Sequence, residues 1–255
     1  SWSPARGLCF SRGLDSMTAL ISRREELDVL LGLDWRDAPW ATDGTAAIWE
    51  HTQEAAGETG LPLVGVSTNA RAFLDPVVPW DVSHGVVLAA LAQLAAPALG
   101  ELRIAGTYAP GHEEPHGSHP ALVPLWSSSR VAVTYDPGPG ARHRKAEVAA
   151  GDPFAMRWLK VCWERPGDGN CGHCTKCLLT MTDFALAGCL DAVRERFDGP
   201  LTPEAVAAAA GHDTAANIRS TLESLDENDP LRAAWQAVYD RVAPPAPPAG
   251  VARPQ

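Results

Sequence analysis

Gly7-Leu8-Cys9-Phe10-Ser11-Arg12-Gly13-Leu14-Asp15-Ser16 is the stretch from which the rest of the chain can be read. Residues 7–10 are a short apolar run of strand character, and residues 16–23 continue with helical spacing. A strand that passes through a small glycine-containing loop into a helix presents backbone N–H groups and a helix N-terminus to an anion. Ser11 and Ser16 add hydroxyl donors, and Asp15 adds a carboxylate suited to holding Mg2+ against phosphates. An ordinary turn with an N-cap uses the same residue types. The surrounding pattern has to decide between them.

Outward from this loop, apolar runs alternate with helical patterns. Residues 28–35 (DVLLGLDW), 61–67 (LPLVGVS), 102–106 and 130–135 (RVAVTY) read as strands. The continuous apolar run of residues 28–35 suits a strand buried on both faces. Residues 45–60 read as a helix ending at Gly60, residues 82–99 as an Ala/Leu-rich helix buried on most of its circumference, and residues 142–150 as a further helix. Strands separated by helices of this length imply right-handed crossovers, and so an α/β fold: a parallel sheet with helices on both faces. Ligands of such sheets bind beyond the carboxyl ends of the strands. The segments leaving those ends are 11–16, 35–44, 68–80 and 107–124. The last is long and broken by Gly and Pro, as binding loops often are. It offers Tyr108, His112, Ser118 and His119 to face a substrate.

Composition narrows the function classes. The chain has 255 residues, a formal net charge of -10, and three lysines, Lys145, Lys160 and Lys176. This acidic balance argues against nucleic acid as partner. No apolar run reaches transmembrane length and the N-terminus lacks a secretory pattern, so the expectation is a cytoplasmic protein without a membrane partner. The chain opens at Ser1 without Met, almost on its first strand, and the expectation is that residues upstream have been cut away. Arg142-His143-Arg144-Lys145 is the densest positive patch. Facing the site, Arg142 and Lys145, with Arg12, would stabilise charge on phosphates and on departing pyrophosphate.

Cys162, Cys171, Cys174 and Cys177 follow the spacing C-x8-C-x2-C-x2-C on a Gly-containing knuckle. Four thiolates so gathered suit a closed tetrahedral Zn2+ site with a structural role. An iron–sulfur cluster is the rival reading. Cys9 and Cys189 sit in apolar surroundings and read as ordinary buried thiols. Beyond the knuckle the pattern becomes helical: 178–188, then a start at Thr202-Pro203-Glu204, then 214–225 and 230–242, a small appendage that caps the core or forms a subunit interface. The expected organisation is a nucleotide-binding α/β domain (1–160), a metal knuckle with its packing helix (161–188), a helical segment (189–242) and a Pro-rich, disordered tail (243–255).

The loop Ser11, Arg12, Gly13, Leu14, Asp15, Ser16 resembles the SGGxDS loop of the PP-loop ATP pyrophosphatases, with Arg12 in place of a glycine. Together with the four-Cys pattern, the resemblance extends over residues 7–188 to the 7-cyano-7-deazaguanine synthase family, whose members adenylate a carboxylate and then use ammonia. Residues 122–129 and Arg142-x-x-Lys145 look more like a less characterised branch of the nucleotide alpha-hydrolase-like proteins. The resemblance implies a HUP/Rossmann-like PP-loop fold and an enzyme that uses ATP, Mg2+ and structural Zn2+. Such an enzyme would adenylate a small-molecule carboxylate or carbonyl and release pyrophosphate, for attack by ammonia, an amine or sulfur. The alternatives are a sulfur-insertion enzyme with an iron–sulfur cluster, or a non-catalytic nucleotide-binding module. A homodimer is compatible with all three.

Overall fold

The computed structural model describes residues 4–35, 43–96, 98–165, 167–210 and 215–243. Most of the loop expected at 35–44, and the tail from residue 244 onward, lie outside them. The chain runs β1 (Ala5–Cys9), α1 (Leu14–Arg23), β2 (Val29–Asp34), α2 (Asp43–Thr59), β3 (Leu63–Ser67), α3 (Ala70–Leu74), α4 (Trp80–Leu94), β4 (Leu99–Ala105), β5 (Ala132–Asp136) and α5 (Arg142–Ala150). It continues through α6 (Pro153–Trp158), α7 (Thr175–Leu186), α8 (Leu190–Val193), α9 (Pro203–Ala207), α10 (Ala215–Ser224) and α11 (Pro230–Val242).

The five strands form one all-parallel sheet in the order β3-β2-β1-β4-β5. The chain therefore builds outward from β1 through β2 to β3, then returns to β1's other side for β4. That reversal places the topological switch point between β1 and β4, the place beyond the strand ends where open parallel sheets bind ligands. Alternation along β1 sends Leu8 into one core, with Met17 and Leu20 of α1 and Ala146 and Ala149 of α5. On the other face Cys9 packs beside Ile104, Val133 and Ala89 of α4. The expected α/β architecture is what the chain adopts.

Several helices depart from expectation. α4 ends at Leu94, not 99, and exposes Val82, Val86 and Leu94 along one side. Its apolar run reads as all-round burial, but the sheet covers only the side carrying Val87, Leu91 and Ala92. Gly85 of α4 meets the backbone of Gly117 so closely that a Cβ there would collide with the Gly117 carbonyl, which lets the loop after β4 lie flat on the helix. α3 and α6 are short helices absent from the sequence reading, whereas Gly60 follows α2 with φ +76°, as a helix-ending glycine does.

The four cysteines and α7 are not a separate unit. Cys162, Cys171, Cys174, Cys177, Met181 and Phe184 belong to the same core as Leu8 and Met17. The opposite side of α7, through Leu178 and Leu179, nucleates a second core with Ile218, Leu222, Trp235 and Val238 of α10 and α11. Trp235 Nε1 donates to Thr182 Oγ1 at 3.0 Å, and Thr202 caps α9 by accepting from Ala205 N. No helix among the described residues is long and apolar enough to cross a membrane.

Candidate functional site

β1 delivers the chain into the 11–16 loop at the switch point. The loop is held by its own hydroxyls. Ser16 Oγ donates to Gly13 O at 3.1 Å and accepts from Ser11 N at 3.2 Å, while Ser11 Oγ accepts from Gly13 N at 3.4 Å. Met17 N to Gly13 O is the first helical bond of α1. The amides of Leu14, Asp15 and Ser16 thus form the first turn, whose N–H groups have no intrahelical acceptor.

Asp15 is the electrostatic centre. Lys145 of α5 places Nζ 2.7 Å from Asp15 Oδ1 and also donates to Gly106 O at 2.5 Å, so one ammonium joins the ends of β1 and β4. Arg142, one helical turn earlier, lies 3.8 Å from Asp15 Oδ1 through Nη1 and donates to Asp183 Oδ2 of α7 at 2.9 Å through Nε. Burial pushes the Asp15 carboxyl upward, but Lys145 and Arg142 outweigh it and hold it below the usual carboxylate range. The sequence-predicted group Ser11, Gly13, Asp15, Ser16, Arg142 and Lys145 therefore comes together in one place.

Arg12 behaves otherwise. It takes a left-handed φ of 61°, unusual for a non-glycine residue. Its side chain is fully buried. Nε donates to Thr52 Oγ1 at 3.1 Å, and Nη2 pairs with Asp168 Oδ1 at 2.5 Å. The expectation that Arg12 meets phosphates is corrected accordingly: its guanidinium is committed to α2 and to the 163–170 segment. Arg12 O also accepts from Lys160 N at 3.1 Å, so the loop is gripped through backbone and side chain alike.

The substrate-facing candidates from the loop after β4 divide similarly. Tyr108 and Ser118 are buried. The Tyr108 ring meets His116 edge-on, and Ser118 bonds His116 Nδ1 at 3.1 Å. His112 Nε2 pairs with Glu223 of α10 at 2.6 Å, strapping the loop to the C-terminal helices. His119 Nδ1 accepts from Ala121 N and closes its own turn. Each has a structural partner within the fold. His116 of the same loop, outside the set offered to a substrate, meets His84 edge-on with ring centroids 4.5 Å apart.

Burial, and then the neighbouring His84, press His116 down to about 4, so it is neutral at pH 7. A depressed histidine makes the fold lose stability as pH falls: the unfolded chain takes up a proton near 6.5 that the native state refuses until about 4. Wild-type protein should therefore lose about 2 kcal/mol between pH 7 and pH 5 through this ring. His116→Gln should show a correspondingly shallower decline in urea-denaturation midpoint across that interval. Equal slopes would remove His116 as the cause.

The sulfurs of Cys162, Cys171, Cys174 and Cys177 all lie within 4.8 Å of one another, and all four residues are buried. Cys162 to Cys174 is 4.0 Å and Cys171 to Cys177 is 3.8 Å. A tetrahedron with metal–sulfur bonds of ~2.3 Å has edges of ~3.8 Å, so the cluster has the dimensions to hold a single metal ion such as zinc. Asn170, fully buried, braces it. Its Oδ1 accepts from Val161 N and Cys162 N, and its Nδ2 donates to Leu159 O. The sequence pattern does not single out Asn170, Asp168 or Asp183, whereas a buried Asp in α7 calls for a cation nearby. Cys9 and Cys189 are only partly buried, and burial raises both thiols, Cys9 to about 12, which makes them poor nucleophiles.

No protein-family model matches the chain, and no curated protein is significantly similar to it.

Proposed function

We propose that the protein is an ATP-dependent enzyme of the PP-loop type. It would adenylate a carboxylate or carbonyl oxygen of a small molecule and release pyrophosphate, after which ammonia, an amine or a sulfur donor displaces AMP. The observation that carries this reading is the meeting of Ser11, Ser16 and Asp15 with Lys145 and Arg142 at the switch point between β1 and β4. In this reading the first-turn amides of α1 and the Ser11 and Ser16 hydroxyls bind phosphate oxygens. Lys145 and Arg142 stabilise the charge that grows as the bond to pyrophosphate breaks. Asp15, whose carboxylate its cationic neighbours keep ionised, would hold Mg2+, which would supply positive charge against the phosphates. No nucleophilic side chain is required, since positioning and charge stabilisation suffice for transfer of the adenylyl group.

The cysteine cluster supports a structural zinc ion over the sulfur-insertion alternative. In an iron–sulfur cube each thiolate binds a different iron, which spreads the sulfurs further than the 4.8 Å found here. Metal analysis should return one zinc per chain and no acid-labile sulfide.

The activity is tested by following pyrophosphate release from MgATP with a panel of small carboxylic acids and ammonium. Asp15→Asn should reduce turnover about 100-fold or more, by losing the charge that holds Mg2+ and orients Lys145. Undiminished turnover in Asp15→Asn, or no MgATP binding by the wild type, would exclude this mechanism.

A further inference from the structure

We propose that Lys176, on the metal knuckle, is a further cation that reaches the ligand's phosphates, from outside the Asp15–Lys145–Arg142 group. This rests on the nucleotide reading above and adds to it a residue from a different part of the chain. The two obvious cations already have carboxylates: Lys145 is joined to Asp15, and Arg142 to Asp183. Arg12 is turned to Asp168. Lys176 is only half-buried and has no carboxylate within ion-pair distance among the described residues.

Its position follows from α7. Lys176 and Asp183 are seven residues apart, two helical turns, and so lie on one face of that helix. Asp183 grips Arg142, which in turn stands against Asp15. Lys176 is thus set on the same face as that chain, about 10 Å further toward the N-terminal end of α7. Its charge is felt at Asp15, where it helps keep the carboxyl ionised, and at His84 and His116, where it opposes protonation. The loop after β1, the loop after β4 and the knuckle therefore share one field with this ammonium among them. The Lys176 ammonium rests 4.7 Å from the ring centroid of Trp163, an exposed indole. That contact holds the cation in place weakly enough for a phosphate to draw it away.

The test compares wild type, Lys176→Met and Lys176→Arg, each checked for unchanged metal content, with MgATP, pyrophosphate and adenosine as probes. Lys176→Met should weaken MgATP and pyrophosphate binding about 10- to 100-fold. Adenosine binding should be unaffected, and Lys176→Arg should recover most of the loss. MgATP should also change the tryptophan emission of wild type, and this change should shrink in Trp163→Phe. Equal MgATP affinity in wild type and Lys176→Met overturns the role of Lys176 while leaving the nucleotide reading intact. Parallel loss of adenosine and pyrophosphate binding would mean a structural effect and overturns it too. Failure of wild type to bind MgATP removes both readings together.

Discussion

Cys177→Ser is expected to lower the thermal midpoint by about 10–15 °C, equivalent to about 4 kcal/mol or more for a chain of this size. Cys177 has no exposed surface and lies in the main core with Leu8 and Met17. A serine there leaves three thiols around a vacated ligand position and a hydroxyl with little affinity for a thiophilic ion. Structural zinc contributes about 10–16 kcal/mol in small isolated knuckles, where it organises an otherwise unfolded peptide. Here only part of that is at risk, because α7 is also held by Trp235 and by the second core. Cys9→Ser is the matched control, since it makes the same chemical change outside the cluster and should cost far less. A thermal scan with metal analysis of both variants settles the matter. Metal-free Cys177→Ser melting with the wild type would mean that the cluster does not bear on stability.

Lys145→Met is expected to abolish most turnover, by about 10²–10³-fold, and also to destabilise the fold by about 3 kcal/mol. The two effects share one origin. The ammonium is nearly inaccessible and joins Asp15 to the carbonyls of Gly106 and Thr107, so its removal leaves a carboxylate and two strand-end carbonyls without their donor. Arg142 remains beside Asp15 and absorbs part of the loss. Lys145→Arg should not rescue, because a planar guanidinium cannot occupy the small space between the ends of β1 and β4. Urea denaturation and pyrophosphate release, measured on the same preparations, separate the two components. A variant that is stable but inactive would restrict Lys145 to chemistry, and one that is unstable but active would restrict it to structure.

The parallel sheet was legible because the strand runs are largely apolar and three of the four connections carry helical spacing, the β4–β5 connection being a long loop. Those signals are local, and burial alone generates them. Thr202-Pro203 and Asp229-Pro230 likewise announce helix starts through capping chemistry that needs no tertiary context, and both caps form. The strand, loop and helix over residues 5–23 and the gathering of the four cysteines were legible for the same reason. What could not be read was direction. Nothing local tells Arg12 to turn toward Thr52 and Asp168, since those partners lie 40 and 156 residues away. Nor does the pattern of α4 say that the sheet covers just one of its sides, leaving Val82, Val86 and Leu94 exposed. The polar residues of the loop after β4 read as ligands by type, yet His112 fastens the loop to α10, while Tyr108, Ser118 and His119 find partners within the loop itself.

The left-handed Arg12 has a kinetic consequence. A glycine at that position would reach φ 61° unaided, whereas arginine reaches it only when its guanidinium is anchored from outside. The anchors belong to α2 and to the segment between Cys162 and Cys171, so the loop acquires its final shape only after the chain has closed over a separation of 156 residues. Long-range closure is the slow part of folding. Secondary structure and the sheet can thus form ahead of the final shape of the 11–16 loop, which arrives as a late event timed by the segment that carries Asp168. The turn between β1 and α1 matures last.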